Sequence, residues 1–243
     1  MTTATLLIAV GLGMVHILGD RFASAMSDSH HRWLSVGGGF TVAFVVLYLL
    51  PELDYFRRLL EDHPATQQVD DVLYLAVLAG VLVYYGLEHL GYRVRRHGSD
   101  GGDGDLGVGH DYVFWLHMGW YAVYNVIIGA LLLYGEQETV HGLVLYGVAM
   151  AIHFSTVDAS MRRHHRHVYH RTGRWILAAA VVTGWGLGKV APVTTAMLAF
   201  VMAFVIGGLF INAVKDELPS SQRAKFFPFA AGVVLFTLLL VAI

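Results

Sequence analysis

The chain has 243 residues, no cysteine, a formal net charge of −2, 56% hydrophobic and 14% charged residues, and a mean hydropathy of +0.57. These values exclude disulfides, thiolate metal sites, thioether-linked haem and cysteine nucleophiles, and they leave no basic field for nucleic acid. Soluble domains carry about a quarter charged residues, so the composition points to an all-α integral membrane protein.

A membrane helix needs about 20 apolar residues to cross about 30 Å of hydrocarbon. Eight such runs are expected, at about 3–22, 34–51, 70–92, 111–134, 139–160, 173–189, 192–215 and 226–243. The first ends near Ala23-Ser24-Ala25, which resembles a leader cleavage site, but no Lys or Arg precedes Arg21, so a retained helix is expected. His16 and Asp20 stand four apart on it, and Glu88-His89 closes the third run. Each pair reads either as a polar helix end or as a carboxylate orienting an imidazole. Residues 98–109 are rich in Gly and Asp, cannot pack, and are expected to form a flexible linker within a single domain covering 1–243.

The loops after the odd-numbered runs carry thirteen of the sixteen Lys and Arg residues, among them Arg93, Arg95, Arg96, Arg162, Arg163, Arg166 and Arg171. Arg57, Arg58 and Lys189 lie on the other side. The positive-inside rule then places both termini outside the cytoplasm of a multi-pass cell-membrane protein. The second run ends Leu49-Leu50-Pro51-Glu52 and the seventh ends Asp216-Glu217-Leu218-Pro219, an echo on opposite membrane faces that inverted three-helix repeats produce.

Trp33-Leu34-Ser35, Gly37-Gly38-Gly39-Phe40 and Leu49-Leu50-Pro51-Glu52 resemble the second helix of the ZIP family of divalent-metal (zinc/iron) transporters. Leu87-Glu88-His89-Leu90 resembles its third helix, with Arg95-Arg96-His97 leading into its variable cytoplasmic loop. Leu209-Phe210-Ile211-Asn212-Ala213 through Glu217-Leu218-Pro219 resembles its seventh. The resemblance covers nearly the whole chain and implies eight helices with both termini outside. It also implies a metal site on helices four and five, where the family typically reads His-Asn-x-x-Asp/Glu-Gly and His-Glu/Asn-x-Pro-Glu-Gly. Here the fourth run reads His117-Met118-Gly119-Trp120-Tyr121-Ala122 and the fifth His153-Phe154-Ser155-Thr156-Val157-Asp158. Both histidines survive, while Met118, Tyr121 and Val157 stand where the Asn and the carboxylates belong. Asp158 falls one residue late, about 100° around the helix.

A reduced metal site is therefore expected on His117, His153, Asp158 and Asn125, suited to Zn²⁺ or another divalent ion as substrate. The bland alternative is neutral histidines hydrogen-bonded across helices and binding nothing. Tyr121 and Tyr124, central in the fourth run, either plug a degenerate path or line a pocket. His164, His165, His167 and His170 form a loop cluster among arginines, read as metal-collecting or as an anchor to anionic lipid. The expected function is divalent-metal transport or binding, without enzymatic activity. A non-transporting ZIP relative serving as a structural or regulatory subunit is the alternative. A b-type haem protein with His117 and His153 as axial ligands comes third, and no haem is expected because neither helix has small residues beside its histidine. A homodimer is a further expectation.

Overall fold

A computed structural model describes residues 2–25, 30–61, 69–98, 106–134, 139–191, 193–217 and 226–242. No strand occurs among them. The helices are α1 Thr2–Ala25, α2 His30–Phe44, α3 Leu50–Glu61, α4 Val69–Gly98, α5 Leu106–Leu131, α6 Val140–Val168, α7 Arg174–Val190, α8 Thr195–Glu217 and α9 Phe226–Ala242. A π segment, Val45–Leu49, joins α2 to α3 into one rod, so eight rods correspond to the eight expected runs. Among the described residues, five stretches are long and apolar enough to cross a membrane: Thr2–Gly19, Arg32–Leu60, Asp71–Leu90, Val140–Ala159 and Thr195–Val214. Phe226–Ala242 is a shorter apolar helix of 17 residues.

The second rod runs ten residues beyond its expected end because its extension is amphipathic. Leu53, Phe56 and Leu60 are buried at spacings of three and four, while Asp54 pairs with Arg57 and Arg58 on the outer face. Pro51 explains the π segment: it has no N–H to give and its ring crowds the carbonyl one turn back. The Leu50 N–H bonds to the Val45 carbonyl, five residues earlier. Helix also intrudes on the expected linker, since α4 reaches Gly98 and α5 starts at Leu106. Residues 99–105 lie outside the described residues.

Side-chain neighbours give the helix directions. Along α1, Ile8 meets Gly147 and His16 meets Asp158, so α6 runs parallel to it. Gly13 meets Ala178 and Thr5 accepts from the Trp185 indole at 3.0 Å, so α7 runs antiparallel. The chain therefore reverses between α6 and α7, and the Tyr169 hydroxyl, on the π segment Tyr169–Gly173, returns to Asp158. Eleven residues of straight helix would hold those two residues about 16 Å apart.

Three parallel pairs close on reciprocal glycine crossings. A Cβ on Gly39 would overlap the Phe229 carbonyl, and one on Gly232 the Val36 carbonyl. Gly80 and Gly207 make the same exchange with the Phe204 and Val77 carbonyls, and Gly129 and Gly184 with those of Val181 and Val126. In each pair the contacted carbonyl lies three residues before its own helix's glycine. Lipid supplies no hydrophobic drive between helices, so close backbone approach through small residues is the cohesive device expected there.

Candidate functional site

Buried polar residues inside apolar helices are expensive and mark sites by default. Two groups stand out, parted on α6 by the turn between His153 and Asp158. The first is centred on His16 of α1, which is 1% exposed. Its Nδ1 lies 2.8 Å from Asp158 Oδ1 and its Nε2 2.9 Å from Asn125 Oδ1. The Asn125 amide is oriented by donation from Nδ2 to the Tyr121 carbonyl at 2.7 Å. Both ring nitrogens thus stand within hydrogen-bond distance of side-chain oxygens, one on α5 and one on α6. Tyr169 donates to the same Asp158 Oδ1. Asp158 Oδ2 has no hydrogen bond, and Arg162 Nη1 stands 4.0 Å from it. Phe154 lies against the imidazole, with ring centroids 4.5 Å apart and planes tilted by 31°.

The second group surrounds a small cavity of about 10 Å³ lined by Tyr84, Trp120, Tyr121, Tyr124, His153, Gly208 and Asn212. Its free core takes one water-sized sphere. His153 is buried, and its Nδ1 has no hydrogen-bond partner. Tyr84 donates to Asn212 Oδ1 and lies 3.2 Å from the Tyr121 hydroxyl. Tyr124 donates to the Val205 carbonyl at 2.7 Å. One turn from Tyr84 on α4 and one turn from Tyr121 on α5, Glu88 Oε1 stands 4.0 Å from His117 Nε2.

The four expected ligands are therefore divided. Asn125 and Asp158 meet, but at His16. His153 faces the cavity, and His117 faces Glu88. Met118, Tyr121 and Val157 pack into one apolar cluster with Phe114, Met161 and Leu177. Among the described residues no three His, Asp or Glu side chains converge in a metal-holding group. Tyr121 and Tyr124 do line a pocket. The contributions of Tyr84, Tyr169 and Asn212 were not expected, although Asn212 carries the same signal as the others, a polar side chain within an apolar run; His16 was expected beside the carboxylate of Asp20 and is found beside that of Asp158. His167 and His170 are exposed. The side chains of Asp20, His164, His165 and Asp216 lie outside the described residues. Comparison with known protein families and with curated proteins finds no match.

Proposed function

We propose that the chain is a ZIP-like membrane protein that takes up a divalent cation at the His153 cavity, on a route that continues past Tyr84 and Tyr121 to the Glu88–His117 pair. The observation that carries this reading is the buried, unpartnered Nδ1 of His153, a residue that lines a small, mostly apolar pocket together with Trp120, three tyrosines and Asn212. An imidazole nitrogen with nothing to bond is costly unless a ligand completes it, and imidazole with oxygen donors suits Zn²⁺ or Co²⁺. A divalent ion in low dielectric also needs a negative charge. Glu88, one helical turn along, supplies it in place of Asp158, which is engaged by His16 and Tyr169.

The ZIP-like reading draws support from the packing. Exchanging the second rod with the seventh and the third with the eighth turns the α2–α9 crossing into the α8–α4 crossing, with the same three-residue offset between carbonyl and glycine. An inverted repeat has that property. On the arginine asymmetry, the Glu88–His117 end faces the cytoplasm.

Uptake of Zn²⁺ or Co²⁺ into vesicles reconstituted with the purified protein tests the proposal. Uptake is expected, lost in His153→Ala and reduced about tenfold or more in Glu88→Gln, the range seen when the partner of a metal-ligating group is removed. His164→Ala should change it little. The apolar cluster of Met118, Tyr121 and Val157 favours the second reading, a non-transporting relative in a structural or regulatory role. Wild-type vesicles that take up and bind no divalent ion select that reading.

A further inference from the structure

Two side-chain pairs bridge α4 and α5 one turn apart. The Tyr84 hydroxyl lies 3.2 Å from that of Tyr121, and Glu88 Oε1 lies 4.0 Å from His117 Nε2. Glu88 is four residues beyond Tyr84 on α4, and His117 is four residues before Tyr121 on α5. The two helices are therefore antiparallel here, and the pairs are successive rungs between them. Tyr84 also donates to Asn212 Oδ1 of α8. The tyrosine rung lines the His153 pocket and the Glu88–His117 rung does not. We propose that Tyr84 is the latch of a gate between the two, and that a cation leaves the pocket when its hydroxyl releases Asn212 and Tyr121. The proposal rests on the cation reading of the His153 pocket and names the residue that controls passage out of it.

The packing makes this rung the place to open. α4 is locked to α8 by the Gly80–Gly207 crossing, and α5 to α7 by the Gly129–Gly184 crossing. Between α4 and α5 the described residues show no such lock, since Gly86 and Gly119, in the same turns as the two rungs, meet nothing within 4 Å. The Tyr84–Tyr121 contact thus spans a seam between two close-packed helix pairs, and packed pairs move as bodies while the seam between them opens. Tyr84 stands one turn from Gly80, and Asn212 five residues from Gly207, so one lock holds both the latch and its acceptor on the same side of the seam. Tyr84, Tyr121 and Asn212 are each 5% exposed, and the two rings pack among Phe114, Met118 and Met161. A hydroxyl released into apolar surroundings loses its partners, which makes the closed rung the resting state. At the other end of the pocket, Tyr124 ties the seam separately by donating to the Val205 carbonyl at 2.7 Å.

The chain has no cysteine, so one introduced thiol reports accessibility alone. His153→Cys places it in the pocket, and Ag⁺, a thiol-seeking cation, is the probe, applied to either face of oriented membrane vesicles and read as thiol lost to later alkylation. From the Glu88 face the thiol is expected to react slowly in His153→Cys alone and about tenfold faster once Tyr84→Phe is added, the gain that two lost hydrogen bonds allow. Asn212→Leu breaks the same bond from α8, should also accelerate the reaction, and covers failure of Tyr84→Phe to fold. From the opposite face Tyr84→Phe should bring no acceleration, because the Tyr124 tie is intact. Fast reaction in His153→Cys alone overturns the proposal, as does a folded variant with no acceleration from the Glu88 face. Acceleration from both faces alike is general loosening and overturns it too. Absence of Zn²⁺ uptake by wild-type vesicles is a separate failure, of the cation reading, and does not alter the measured accessibility.

Discussion

His153 and Asp158 are five residues apart on α6, and five residues turn a helix through about 500°, or about 140° beyond one full turn. That offset separates the two polar groups: one side chain reaches the cavity with α4, α5 and α8, the other reaches α1. The two residues should answer mutation in opposite ways. His153 has a buried nitrogen without a partner, so His153→Phe is expected to leave stability unchanged or raised while abolishing cation uptake. Asp158→Ala removes the oxygen that the buried His16 ring and the Tyr169 hydroxyl both meet. It should cost about 1–3 kcal/mol, the range for leaving a buried polar group unpaired, and unfolding in detergent measures both changes. Sequence periodicity identified Asp158, Asn125 and both histidines as intramembrane polar residues. It could not say which neighbour each would meet, because that depends on which helices pack on which face. His16 was paired in expectation with Asp20, four residues away on its own helix, and its described partners lie more than a hundred residues further along the chain.

The same limit applies to the elements. Eight runs were readable from hydropathy, and eight rods occur among the described residues. The glycine crossings were not readable, because each needs one glycine from each of two helices distant in sequence. Gly184 and Gly186 on α7 make the point. A Cβ on Gly184 would collide with the backbone of Val126, while one on Gly186 meets nothing within 4 Å. Gly184→Leu is therefore expected to force α5 and α7 apart and cost at least about 1–3 kcal/mol, as overpacking does. Gly186→Leu should stay within about 0.5 kcal/mol of wild type, as surface substitutions do. Equal melting temperatures for the two variants would remove the crossing from the account of stability. The extension of the second rod past Pro51 was missed for a different reason: Leu50–Glu61 is amphipathic, so an apolar-run criterion stops before it.

For the molecule as a whole, orientation rests on charge. Cysteines introduced at Ser99 and Arg166 should be labelled by an impermeant reagent only from the cytoplasmic side, and one at Glu138 only from outside. Cytoplasmic labelling at Glu138 would break the eight-helix alternation. The α2–α9 crossing also has a consequence for synthesis. Val36 and Gly232 form one contact across almost two hundred residues of chain. At about 5–20 residues per second, a ribosome needs about 10–40 s between them. During that interval the groove at Val36 and Gly39 has no permanent neighbour and must be held open by lipid or by the insertion machinery. A nascent chain stalled before α9 should be degraded quickly, and supplying α9 as a separate peptide should rescue it.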